Sequence, residues 1–438
     1  MPPSTAAATL RRSPYVAAGK VRDRGVRDMM VSSAGPERGE LRRIPHLRTG
    51  IFQRLVLPSS ILIISLTAAA FPLKHHTHTS SEPQIIAYVF SQDRLLSPGE
   101  IAAGKLTRIN YAFALIHDGR IVTESPDDAA NLAALAALRQ DNPSLQVLIS
   151  VGGWLGSGNF SDMAASRESR AQFIDSVIAF LAQYRLDGLD IDWEFPAQAG
   201  AGNRFRPEDK RNYTLLLMEL RQRFKREQRK LGRRLLLSVA AGASQSFLDH
   251  TEMGRVAHSV DTVNLMAYDY YEPGSEKITG NHAPLYTDPS DPKQISADTS
   301  IREFEDAGVP AHKIVLGVPF YGHVWGNVAA TNHGLFQPGS RVPNAYARYH
   351  DIVANMLDHG YTRYWDTFAS VPYLYNAEKS QFVSYEDPES LALKCAYVQR
   401  HHLGGIMFWE YSGDASGALL DTIHRAFYGS RAMSEGGQ

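Results

Sequence analysis

Three acids stand at alternate positions, Asp190, Asp192 and Glu194, in the run Leu186-Asp187-Gly188-Leu189-Asp190-Ile191-Asp192-Trp193-Glu194. Successive side chains of a strand point to opposite faces, so the spacing predicts that the acids share one face while Leu189, Ile191 and Trp193 pack against the other. Acids crowded together between apolar flanks cannot all ionise freely. The row therefore keeps a proton near neutral pH, which suits general-acid work. A solvated strand does not account for three acids at period two among apolar residues. A Mg²⁺ or Ca²⁺ site is an alternative, although strand carboxylates form a stack where such ions need an oxygen cage; no metal or cofactor is expected.

An acid row of this kind needs a scaffold that keeps it inside. From Pro83 onward, short apolar or β-branched runs alternate with longer helical patterns, the mark of a mostly parallel α/β architecture. Eight such runs are found, at 85–90, 109–114, 147–151, 188–194, 235–240, 262–268, 314–320 and 405–410. Helical patterns lie between them at 128–139, 169–184 and 208–230; in the second, Phe173, Val177, Phe180, Leu181 and Tyr184 recur at helical spacing. Eight strand-helix units in order predict an α/β fold, a (β/α)₈ TIM barrel, whose chemistry sits at the C-terminal ends of the strands. About eighty residues separate Phe320 from Gly405, where a helix and two loops need about thirty. That interval, rich in Tyr and turn residues, is expected to hold a small α+β insertion subdomain at 324–383, between strands 7 and 8.

The 438 residues are 44% hydrophobic and 21% charged, with net charge −1, ordinary values for a chain with a sizeable core. Residues 1–54 carry eleven Lys and Arg against four Asp and Glu, so the remainder is mildly acidic. That balance argues against nucleic acid as a partner and suits a neutral small molecule or polymer. Cys395 is the single cysteine; it excludes an intrachain disulfide and a Cys-based zinc site, and its apolar surroundings make it a core residue.

The stretch from Leu55 to Phe71 is almost wholly apolar, follows an Arg-rich segment, and ends in Thr67-Ala68-Ala69-Ala70. Basic, apolar and small residues in that order read as a secretory signal cleaved after Ala70, with Met29 or Met30 as alternative starts. The rival is a membrane anchor at 55–71, but the run is short for a bilayer and Pro58-Ser59-Ser60 interrupts it. His75-His76-Thr77-His78 reads as linker rather than metal site. The expected domains are an extension, signal and linker at 1–82, a barrel at 83–430 containing the insertion, and a tail at 431–438. A secreted protein, extracellular or periplasmic, is expected.

The acid run resembles the DxxDxDxE motif of family 18 glycoside hydrolases, the chitinases and their relatives. Four more segments are similar in the same order: Ser150-Val151-Gly152-Gly153-Trp154, Met266-Ala267-Tyr268-Asp269, Gly317-Val318-Pro319-Phe320-Tyr321-Gly322 and Gly404-Gly405-Ile406-Met407-Phe408-Trp409-Glu410. The likeness covers 84–429, including the insertion. It implies hydrolysis of β-1,4-linked N-acetylglucosamine, in which the sugar's own acetamido oxygen attacks the anomeric carbon and no enzyme nucleophile is needed.

Glu194 is then the general acid and base, Asp192 orients the acetamido N–H, Asp190 supports Asp192 through a shared proton, and Tyr268 donates to the acetamido oxygen. Trp409 forms the floor under the sugar, with Met266, Asp269, Trp154 and Tyr321 as further groove residues and Tyr88 and Phe113 as either groove wall or barrel core. Asp187, Gly152 and Gly153 support the motif. His323 departs from the family, which often carries Arg there, and Phe195 stands where Tyr is frequent. Partners implied are chitin or N-acetylglucosamine oligosaccharides, with no protein partner and a monomeric state. The alternatives are an enzyme for another N-acetylglucosamine linkage, in N-glycans or in peptidoglycan and spore walls, and a non-catalytic chitin-binding lectin.

Overall fold

The computed structural model describes residues 82–435, with side chains to residue 429. The expected signal and all but the last residue of the 1–82 segment lie outside the described residues. Fourteen strands follow in the described chain. They are β1 (Gln84–Phe90), β2 (Arg108–His117), β3 (Arg120–Thr123), β4 (Gln146–Gly152), β5 (Gly188–Asp192), β6 (Leu236–Gly242) and β7 (Thr262–Met266). The series continues with β8 (Ile314–Pro319), β9 (Tyr321–Gly326), β10 (Ser340–Arg348), β11 (Thr362–Asp366), β12 (Val371–Asn376), β13 (Gln381–Ser384) and β14 (Gly405–Trp409).

Strands β1, β2, β4, β5, β6, β7, β8 and β14 pair in parallel, and the β1–β2 pairing closes them into a barrel. Each coincides with one of the eight apolar runs. Closure removes the sheet's edges and forces inward and outward side chains to alternate. Strand β3 returns along the end of β2 as an antiparallel hairpin.

Between β8 and β14, a second, antiparallel sheet runs in the order β10-β9-β13-β12-β11, accompanied by the helix Tyr349–Asn355. It begins at Tyr321, with Phe320 alone separating it from β8, and ends at Ser384. The expected limits of 324 and 383 are therefore each inside the sheet: the chain turns from barrel strand to second sheet without a linker that sequence would mark. The last helix, Ala418–Glu435, likewise runs through the limit placed at 430, since no Gly or Pro interrupts residues 430–435.

Helices cover the barrel, and polar residues set their ends. Ser166 and Ser169 form a capping box for Arg167–Gln183, as do Ser296 and Thr299 for Ala297–Asp306. The long helix Asp209–Leu231 stops at Gly232, whose φ of 67° suits glycine. Against these helices lies the main core, including Leu189, Ile191 and Trp193 from the outward face of the acid strand. A smaller cluster of Ile86, Tyr88, Ala112, Phe113, Val315 and Met407 fills the interior.

Trp193 is the largest side chain on the outward face, 2% exposed. It stacks on Phe160 with ring centres 5.0 Å apart and meets the edge of Tyr213 at 5.9 Å. Trp193→Ala is expected to cost about 3–5 kcal/mol of stability, read as a lowered thermal midpoint by circular dichroism; a midpoint equal to wild type would show that the outward face does not hold the strand.

Candidate active site

Parallel register places Ser150 of β4 and Ser238 of β6 directly opposite Asp190. Their hydroxyls donate to its carboxylate at 2.8 and 2.6 Å. Tyr88 Oη donates at 2.9 Å and Asn264 Nδ2 at 3.2 Å. Four donors from β1, β4, β6 and β7 thus surround one fully buried acid. Burial raises its carboxyl on balance, against the Ser238, Ser150 and Tyr88 bonds and the charge of Arg108, which hold it down.

Asp192 differs. Its Oδ1 is buried with no hydrogen-bond partner among the described residues, and its carboxyl is pushed well up by burial, then by the charges of Glu194 and Asp190. Glu194, half-buried at the end of the row, is raised to about 8 by burial and the charge of Asp269. With its carboxyl raised to about 8, Glu194 holds a proton at neutral pH, so a donor is present where the row opens. Neutral donors fill the oxygens of Asp190, and its charge in turn helps to raise Asp192.

Backbone geometry fixes this order. Gly152 has a φ of 114°, and a Cβ there would lie 2.1 Å from the Asp192 carbonyl oxygen; one on Gly153 would lie 2.6 Å from the Phe113 ring. The same carbonyl accepts from Gly153 N–H at 2.8 Å and Ser157 Oγ at 3.1 Å. Ser157 Oγ also accepts from Glu194 N–H at 2.9 Å, and Asn203 Nδ2 donates to the Glu194 carbonyl at 2.8 Å. Sequence reading missed Ser157, Asn203, Ser238 and Asn264, single polar residues without a motif; only the β5–β6 register identifies Ser238.

Trp409 is partly exposed and lies on Phe113 (5.5 Å, 22°) and Phe90 (5.9 Å, 30°). Of the two places open to Tyr88 and Phe113, groove wall or barrel core, both take the second and lie one layer below Trp409 in the interior cluster. Tyr88 is 2% exposed, and its hydroxyl is engaged by Asp190. Met266 and Tyr268 pack against that cluster from above. A Cβ on Gly317 would come 3.0 Å from the Tyr268 ring, so glycine there leaves the ring its place. The Tyr268 hydroxyl is pushed well above its ordinary value by burial and the charges of Asp269, Asp192 and Glu194, and so remains a donor. Trp154 is 44% exposed and meets Phe195 edge-on at 6.4 Å. Tyr346, from β10, stacks on Tyr321 at 4.5 Å and is an aromatic that no motif signalled. Asp187 lies at the opposite end of the barrel, paired with Arg139 at 2.6 Å and Arg233 at 2.9 Å; its part is structural.

Asp269 is held from the second sheet. Tyr321 Oη donates to its Oδ1 at 2.7 Å, and His323 Nε2 lies 2.8 Å from the same oxygen. Partial removal from water raises its carboxyl, but the His323 bond and charge, His282 and Tyr321 overcome this and bring it to about 2. Tyr321, expected among the groove residues, is buried with its hydroxyl on Asp269, and the buried His323 ring meets the same carboxylate. His282 Nδ1 accepts the Asp269 N–H at 3.1 Å. Burial and then His323 drive its pKa well below 6.5, so the ring is neutral. Asp269, His282 and His323 bring possible metal-ligand atoms within 4.8 Å of one another. Hydrogen bonds already engage His282 Nδ1 and His323 Nε2, and the trio is a hydrogen-bonded clamp.

The model of the family described as glycosyl hydrolases family 18 matches residues 84–414. Chitinase A1 of Niallia circulans is 43% identical over 310 residues, which cover 67% of this chain and 44% of that one; the chain thus spans less than half the length of that relative. The solved chitinase ChiW of Paenibacillus sp. str. FPU-7 is 39% identical with a TM-score of 0.76, covering 79% of this chain and 33% of that chain. A glycoside hydrolase family 18 N-acetylglucosaminidase from Paenibacillus barengoltzii is 38% identical with a TM-score of 0.72, covering 78% of this chain and 99% of the other.

Since the charge of Asp269 helps to raise Glu194, Asp269→Asn is expected to lower the Glu194 pKa from about 8, moving the alkaline limb of turnover to lower pH. An unmoved limb in a folded variant would leave burial as the whole cause.

Proposed function

Because the chain belongs to family 18 of the glycosyl hydrolases, we propose that it hydrolyses β-1,4-linked N-acetylglucosamine chains, chitin and its oligomers, by a retaining, substrate-assisted mechanism. The observation that carries this reading is the buried, unpartnered Oδ1 of Asp192 beside a Glu194 that keeps a proton at neutral pH. A buried carboxylate oxygen without a donor is costly, and an acetamido N–H next to the reacting carbon meets it. The names of the similar proteins support the same substrate class.

In the first step the Glu194 carboxyl gives its proton to the glycosidic oxygen as the C–O bond breaks. The acetamido oxygen forms the new bond to the anomeric carbon from the opposite face, while Asp192 accepts the acetamido N–H and balances the positive charge of the oxazolinium ion. Tyr268, a hydroxyl donor throughout, is suited to hold the acetamido oxygen. In the second step the Glu194 carboxylate takes a proton from water, whose oxygen bonds to the anomeric carbon as the bond from that carbon to the acetamido oxygen breaks, with net retention of configuration. Trp409, backed by Phe113 and Phe90, is the apolar floor on which a pyranose face packs. Secretion through the segment at 55–71 fits action on an insoluble polymer.

Glu194→Gln is expected to bind chitotetraose as wild type does and to lower turnover roughly 10²- to 10⁴-fold, measured by calorimetry and product chromatography. Near-normal turnover in that variant would refute the role of Glu194, and binding without turnover in the wild type would leave a sugar-binding protein. Chitotetraose is expected to be cleaved and its fully deacetylated counterpart not; equal rates would exclude acetamido participation. Release of monomer alone would mark exo action.

A further inference from the structure

The barrel floor holds a charge that these steps do not use. Arg108 opens β2 and is 2% exposed. Its guanidinium crosses to β7, where Nη1 donates to Thr262 Oγ1 at 3.0 Å; Nε and Nη2 lie 3.4 and 3.5 Å from Gln146 Oε1. These partners are neutral, and burying a guanidinium without a carboxylate against it is costly. The compensation lies further up. Thr262 Oγ1, accepting from Arg108, donates to Asn264 Oδ1 at 3.2 Å. That bond fixes the Asn264 amide so that Nδ2 faces Asp190 Oδ1 at 3.2 Å and Tyr88 Oη at 3.0 Å, and Tyr88 in turn donates to Asp190.

We infer that Arg108, acting through Thr262 and Asn264, is a positioning residue that keeps Asp190 ionised at the base of the acid row, so that the row's proton resides between Asp192 and Glu194. The inference rests on the hydrolytic reading above. Of the charges around Arg108, Asp261 acts on it most, then Asp190 and Tyr88, with Arg234 opposed; Asp261 is already paired with Arg221 and Arg234, whereas Asp190 has no ion pair among the described residues and Arg108 is the cation that helps to hold its carboxyl down. Asp190 and Glu194 bear on Asp192, and Asp269 bears on Glu194. Tyr213 and Tyr268 adjoin the row as neutral hydroxyls. Arginine keeps its proton at any working pH, so the bias is constant.

Loss of the cation makes every acid in the row harder to ionise, and the form with a single proton then appears only at higher pH. In Arg108→Met the acid limb of kcat/KM on acetylated chitotetraose is expected to rise by about one pH unit, with KM at the plateau changed less than about twofold. Arg108→Lys, which keeps the charge, is expected to shift the limb by less than half as much. Thr262→Val, which keeps Arg108 but breaks the chain to Asn264, is expected to shift it upward by a smaller amount than Met. A folded Met variant with the wild-type limb overturns the inference, as does a Lys variant that shifts as far as Met, since packing would then be the cause. Should Met fail to fold, an unshifted Thr262→Val overturns it. If wild type turns over no acetylated oligosaccharide, the hydrolytic reading fails separately, and the floor charge is read from unfolding. A thermal deficit of Arg108→Met larger at pH 7.5 than at pH 4.5 supports it, because only an ionised row feels the lost cation; equal deficits overturn it.

Discussion

A carboxylate can be kept inside a barrel only if dipoles replace the water it loses. Asp190 meets that condition with donors from four strands: Tyr88, Ser150, Ser238 and Asn264. A slip of one residue in any of those strands would turn the donor outward and bring an apolar neighbour in. The same alternation sends Leu189, Ile191 and Trp193 to the helices, so hydrophobic burial outside and acid solvation inside select one register. Barrel closure and the placing of the acids are one requirement.

From base to rim, solvation of the row falls away. Asp190 is fully satisfied, Asp192 lacks a donor at Oδ1, and Glu194 has its backbone fixed through Ser157 and Asn203 while its carboxyl meets the groove. A gradient of this kind keeps a protonated carboxyl, that of Glu194, at the open end and the least satisfied acceptor, a buried oxygen of Asp192, directly behind it. Electrostatic preorganisation of this type leaves little for the protein to rearrange during reaction.

The eight barrel strands and the acid row were legible in sequence because both follow from periodicity: apolar runs between helices for the strands, alternation for Asp190, Asp192 and Glu194. What escaped was whatever depends on pairing between distant strands. Ser238 and Asn264 are ordinary polar residues until the register sets them beside the acids, and Ser157 until the turn after β4 brings it against the Asp192 carbonyl. Tyr88 and Phe113 could be assigned to the interior face of their strands but not to a depth on it, and the Trp409 ring lies above them. Tyr321 and His323 were placed in the right neighbourhood, but their hydrogen bonds to Asp269 were not foreseen, because a side chain that reaches Asp269 and one that reaches a ligand look alike in a motif.

The second sheet is more than a wall beside the groove. Its first strand, β9, supplies both Tyr321 and His323 to Asp269. The loop carrying His282 is tied to the same sheet: Asn281 Nδ2 donates to Asp366 at 2.6 Å, His282 N–H to Ser384 Oγ at 2.7 Å, and Leu285 N–H to the Ala369 carbonyl at 2.9 Å. With Asp269 held ionised there, its charge acts on Glu194. A shift of the sheet that loosened Asp269 would therefore change the acidity of the proton donor as well as the depth of the groove. Arg108 biases the row from beneath and the inserted sheet biases it from above, so the affinity of Glu194 for its proton is set jointly by parts of the chain far apart in sequence.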